Sequence, residues 1–107
     1  MYQGTTPTLP IRIKGKDITS AKIYFTLKDT KDFINTHITG DGSFNVAFDG
    51  DDTIGEIKLT QEETLKIESG SVKIQCRYIF SDGTAGATRI AKLRVEDILL
   101  KEVISYE

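Results

Sequence analysis

Apolar residues in this chain recur at every second position in short runs, and each run ends in a cluster of turn residues. Leu9, Ile11 and Ile13 alternate with Pro10, Arg12 and Lys14. Ile23, Phe25 and Leu27 alternate with Lys22, Tyr24, Thr26 and Lys28. Successive side chains of a strand point to opposite faces, so such runs read as strands with one buried side. Between 33 and 39 the alternation is weaker and predicts Ile34, Thr36 and Ile38 inward, with His37 on the polar face beside Asn35 and Thr39. Gly40-Asp41-Gly42 then predicts a hairpin. Phe44, Val46 and Phe48 form the clearest inward stripe of the first half, and Ile57 and Leu59 continue the pattern beyond the break at Asp49-Gly50-Asp51-Asp52.

The second half holds the longest strand pattern. Val72, Ile74, Cys76, Tyr78 and Phe80 alternate with Ser71, Lys73, Gln75, Arg77 and Ile79. Ser81-Asp82-Gly83-Thr84 predicts a tight hairpin into a return strand through Ala87, Arg89, Ala91, Leu93 and Val95. A two-residue loop there sets Cys76 opposite Arg89, a mismatch that a bulge at Gly86 would relieve. One segment departs from the strand period. Thr60-Gln61-Glu62-Glu63 is a capping-box pattern, followed by about one helical turn before Ser69-Gly70. About seven short strands and one helical turn predict an all-β fold, an immunoglobulin-like antiparallel β-sandwich occupying 1–107 as one domain, with a small barrel as the alternative. Pro10 lacks an amide donor and places its strand at a sheet edge; Lys14 and Lys28 read as further edge protection.

Charge narrows the partners. The chain carries 14 basic and 16 acidic residues, a net charge of −2, which argues against a dedicated nucleic-acid binder. Residues 1–36 hold six basic and three acidic residues, 37–70 two and eight, and 71–107 six and five. Turn chemistry explains the acidic middle third, because Asp favours turns for local reasons. No apolar run approaches the roughly 20 residues of a membrane span, and the opening Met1-Tyr2-Gln3-Gly4-Thr5-Thr6-Pro7 is not a signal peptide. The expected place of folding is the cytoplasm, with no membrane partner. One Cys forms no internal disulfide.

Few residues carry chemistry. Cys76 falls on the apolar face of its strand and His37 on the polar face of another, so a Cys-His pair is not expected. Serines and aspartates are plentiful, but no Gly-flanked serine elbow is present. One His and one Cys are too few for a structural zinc site. Asp49, Asp51, Asp52 and Glu56 are candidate calcium ligands, although Ile54 and Thr60 stand at the sixth and twelfth positions from Asp49 and break the EF-hand spacing. Glu62 and Glu63 read as solvated acids on an exposed turn. No phosphate-binding glycine loop occurs. The chain is therefore expected to have no catalytic residues, no metal and no cofactor. Tyr2, Tyr24 and Tyr106 are the candidate platforms for a glycan.

The ends stand out. Residues 2–8 are uncharged, and Ile98, Leu99, Leu100, Val103 and Ile104 are too apolar for a free tail. This C-terminal piece is expected to form a closing strand or an arm toward a partner. With Tyr2 it makes up the candidate contact set.

Four motifs carry a family resemblance: Gln3-Gly4-Thr5-Thr6-Pro7-Thr8 at the start, Leu59-Thr60-Gln61-Glu62-Glu63-Thr64-Leu65 at the helical turn, Val72-Lys73-Ile74-Gln75-Cys76-Arg77 and Ser81-Asp82-Gly83-Thr84. Their order and spacing resemble small β-sandwich proteins encoded among the structural genes of phages and prophages of Gram-positive bacteria. The chain is similar to the N-terminal domain of phage baseplate upper proteins. The resemblance implies a virion structural protein, an assembly module at tail or baseplate whose partners are other virion or tail subunits or further copies of itself, located in the virion after assembly. It implies no catalytic residues. The alternative functions are a surface-glycan-binding adhesion module and a non-virion prophage accessory protein.

Overall fold

Two antiparallel sheets and one helical turn carry the chain, in a computed structural model that describes residues 1–29, 33–68, 70–99 and 101–106. Strands β1 (Thr8–Ile13), β5 (Thr53–Lys58) and β4 (Phe44–Phe48) form one sheet in the order β1-β5-β4. The other sheet has the order β3 (Phe33–Ile38), β2 (Lys22–Lys28), β6 (Ser71–Ile79), β7 (Ala85–Ala87), with β8 (Ala91–Arg94) also pairing β6. Helix α1 (Gln61–Leu65) links β5 to β6 and so crosses between the sheets. The fold is the expected all-β antiparallel sandwich. Among the described residues no helix is long and apolar enough to cross a membrane.

The inward stripes meet in one core. Ile13, Phe44 and Ile57 of the first sheet pack with Ile23, Phe25, Leu27, Val72, Cys76 and Tyr78 of the second. Phe25 and Phe44 meet edge to face across the layers, with ring centres 6.3 Å apart. The constant-type immunoglobulin arrangement seats the second strand between the first and the fifth. Here β2 lies between β3 and β6, and β1 pairs directly with β5.

Pro10 sits on β1, an edge strand, as its missing donor requires. Lys28 does not protect an edge: it lies on β2, inside the five-stranded sheet. The face reading of β3 holds at Ile34 and is inverted over residues 35–38. His37 stands opposite Phe25 and Asn35 opposite Leu27, on the core side, while Thr36 and Ile38 face Thr26 and Tyr24 on the outer side. The pairing then slips between Leu27 and Lys28, which leaves Ile34 without a partner and buries it. A one-residue slip moves every side chain to the other face, and a bulge moves part of the set back.

Gly40-Asp41-Gly42 does turn, with φ of 95° and 90° at its glycines, but it joins β3 and β4, which belong to different sheets. Turn chemistry is local and does not choose the sheet that the next strand enters. The stripe on β4 is buried only at Phe44; Val46 is half-buried and Phe48 is 41% exposed. The β6–β7 turn has three loop residues, with Phe80 N–H donating to Thr84 and Gly83 N–H to Phe80. That sets Cys76 against Thr88, not Arg89. No bulge forms at Gly86, which lies against Tyr78, where a Cβ would come within 2.4 Å of the phenol oxygen. The extra residue enters later. Arg77 pairs Ala87 and Ile74 pairs Ala91, so the return strand gains one residue between β7 and β8.

Candidate functional site

The densest polar cluster forms where α1 is pressed against β3. Thr60 caps the helix: Glu63 N–H donates to its Oγ1 at 3.2 Å, and its own N–H donates to Glu63 Oε1 at 3.0 Å. The capping box occupies one Glu63 oxygen and turns the other toward β3. Oε2 accepts from Asn35 Nδ2 at 3.0 Å and lies 2.5 Å from His37 Nε2. His37 Nδ1 lies 2.7 Å from Ser43 Oγ, which lies 2.6 Å from Asp41 Oδ1. His37 and Glu63 are 4% and 5% exposed. Glu63 is thus not a solvated turn acid, and His37 is not on a solvated face.

A serine, a histidine and a carboxylate in contact are the parts of a nucleophilic triad. The proton count assigns them differently here. The Ser43 hydroxyl has one proton, and its 2.6 Å contact with an Asp41 carboxylate oxygen uses it. The Ser43 proton is thus not offered to the imidazole, which contacts Ser43 Oγ through Nδ1 and Glu63 Oε2 through Nε2. Asp41 also accepts the N–H groups of Ser43 and Ile38, at 2.8 and 3.2 Å. The Ser43 hydroxyl and N–H hold the Asp41 carboxyl below its usual range against the opposing effect of burial, and the Ile38 N–H adds a lesser contribution. For Glu63, burial pushes the carboxyl up, but donors from Asn35, Thr60 and His37 outweigh it and hold it below the usual range. The cluster ties three segments together: β3, the turn 40–43 and α1. It borders a cleft of about 480 Å³ that also meets Glu62 and Lys66.

Cys76 and His37 do share a cross-strand row, but Phe25 stands between them, opposite each. Burial raises the Cys76 thiol to about 11. Two of the four candidate calcium ligands, Asp49 and Asp52, have other partners. Asp49 Oδ1 accepts the N–H groups of Asp51 and Asp52, and Arg12 Nη1 bridges Asp49 and Asp52 at 3.1 and 2.6 Å. Gly15 N–H takes the remaining oxygen of Asp52. Among the described residues no group of three or more His, Cys, Asp or Glu could hold a metal ion.

The terminal contact set is split. Tyr2 makes a parallel bridge to Glu96 and leaves its side chain exposed. Gln3 beside it is buried, and its Nε2 donates to Ile67 O. Ile98 is half-buried and lies over Gly4, where a Cβ would come within 2.8 Å of its Cδ1. Leu99, Val103 and Ile104 are exposed, and Leu100 lies outside the described residues. No strand forms among the described residues after Arg94. The segment instead hangs from α1: Gln61 Nε2 donates to Ile104 O at 3.0 Å, and Ile104 N–H donates to Gln61 Oε1 at 2.9 Å. Val103 borders a shallow hollow of about 770 Å³ with Thr6, Asp41, Lys58 and Gln61.

Sequence reasoning missed Ser43 and Glu63 as partners of His37, and Asn35 as a donor to Glu63. The capping box was the available signal, since it leaves one Glu63 oxygen free to face whatever packs against the helix. Comparison with known protein families, curated proteins and solved structures finds no match for this chain.

Proposed function

We propose that the chain is a structural subunit of a phage or prophage particle, at the tail or baseplate, that works by contact with other subunits. The observation that carries this reading is the C-terminal segment: Leu99, Val103, Ile104 and Tyr106 are all exposed, and Gln61 holds the Ile104 backbone to the body. Clustered apolar groups on a short arm gain about 25 cal/mol per Å² when a partner covers them. The resemblance of four short motifs to those of baseplate upper proteins supports the phage setting, and the two-sheet sandwich suits a rigid body that presents such an arm.

Static light scattering on the full chain and on a truncation after Asp97 tests the arm. Association in the full chain, with a folded and monomeric truncation, is the expected result. A full chain that stays monomeric at high concentration counts against contact between copies. An immunoblot of purified particles then decides the setting: a chain absent from them is not a virion subunit.

A further inference from the structure

The five-stranded sheet has an outer face that neither α1 nor the other sheet packs against. Outward along β2 stand Lys22, Tyr24, Thr26 and Lys28, and outward along β6 stand Lys73, Gln75, Arg77 and Ile79. The register sets Lys28 opposite Lys73, and Lys73 opposite Lys92 of β8. Three lysines therefore stand abreast on strands about 4.8 Å apart. Arg94 lies opposite Ser71, Arg77 lies opposite Tyr24, and the Lys22 ammonium sits 5.4 Å from the Tyr24 ring centre. All six cationic side chains are exposed. Arg94 pairs with Glu96; the other five make no ion pair with a described residue.

Like charges directly opposite one another destabilise an antiparallel pair. This row costs the fold stability that an anion laid across it returns. The net charge of −2 hides the face, whose six cations have one ion-pair partner, Glu96, among the described residues. Asp49 and Asp52 already hold Arg12, and Asp41 and Glu63 are taken up by the His37 cluster, so these four acids are already engaged in any second copy. A linear polyanion does match, and half-buried Tyr24 at the centre gives a base a ring to stack on.

We propose that this face binds single-stranded nucleic acid through its phosphate backbone. The inference is independent of the phage assignment and of the C-terminal arm. Fluorescence anisotropy of a labelled single-stranded DNA oligonucleotide with the full chain tests it. Binding is expected in about 50 mM salt, weakening about a hundredfold by about 200 mM if about five phosphates are contacted. The Lys73→Glu/Lys92→Glu double variant, altered only at exposed positions, is expected to lose about tenfold or more. Lys101→Glu, on the arm, is expected to bind as wild type, and Tyr24→Ala to weaken binding without changing the salt slope. No binding at low salt, or equal binding by a folded double variant, overturns the proposal. So does salt-sensitive self-association without DNA binding, which would make a second copy the occupant.

Discussion

At the scale of single residues, His37 and Glu63 decide more than any other pair. Removing one partner of a buried hydrogen-bonded pair leaves the other without compensation, which costs about 1–3 kcal/mol. His37→Ala is expected to lie in that range in urea unfolding at neutral pH, and Ser43→Ala to cost about 1 kcal/mol, the usual size of one hydrogen bond. Acid adds a second reading. A carboxyl held below its unfolded value stabilises the fold above that unfolded value, and the contribution is lost as pH falls through the folded value. Glu63 and Asp41 are both depressed. Stability should therefore hold above about pH 5 and decline below about pH 4, near the unfolded carboxyl values. Glu63→Gln keeps the capping box and removes one titrating group, so its unfolding free energy should start lower and fall less steeply with acid. A Glu63→Gln curve parallel to wild type would show that Glu63 does not contribute to the acid loss.

At the scale of elements, the strands were legible where one face is buried in full. β2 and β6 follow their alternation to the residue, and the capping box places α1. Beyond Ile34, β3 was not legible, because Thr36 and Ile38 outrank Asn35 and His37 in apolarity, although α1 supplies the polar partners that let the latter pair face inward. The β6–β7 turn was misread by one residue, since Asp-Gly serves loops of two or three residues equally well. Gly86 shows what that register requires. Its place against Tyr78 leaves no room for a methyl group, so Gly86→Ala is expected to cost about 1–3 kcal/mol by overpacking. Chemical denaturation checks it, and a smaller cost in a Tyr78→Leu background would locate the clash at that ring. The lysine row gives the opposite sign. Lys73→Glu places an acid between Lys28 and Lys92 and is expected to gain about 0.5–1 kcal/mol, read as a higher melting temperature.

At the scale of the whole molecule, net charge belongs to the chain and its distribution belongs to the topology. Lys28 comes from the first third, and Lys73 and Lys92 from the last; no window of sequence contains all three. The pairing of β2 with β6 and of β6 with β8 lays them side by side, and that register is the information the sequence lacked. The acidic middle third goes largely to the β4–β5 turn, to α1 and to the turn before β4. Charges separated in this way act on a surface independently of their sum, because screening at about 0.1 M salt confines each to about 10 Å. A chain with a pI near 5.4 would pass through a cation exchanger at pH 7 if its charges were mixed. With five cations on one sheet face that pair with no described acid, this one is expected to be retained at low salt and released by a shallow salt gradient. Lys73→Glu/Lys92→Glu should flow through, whereas Lys101→Glu should elute close to wild type. Equal elution of all three would mean that the basic face does not act as a unit.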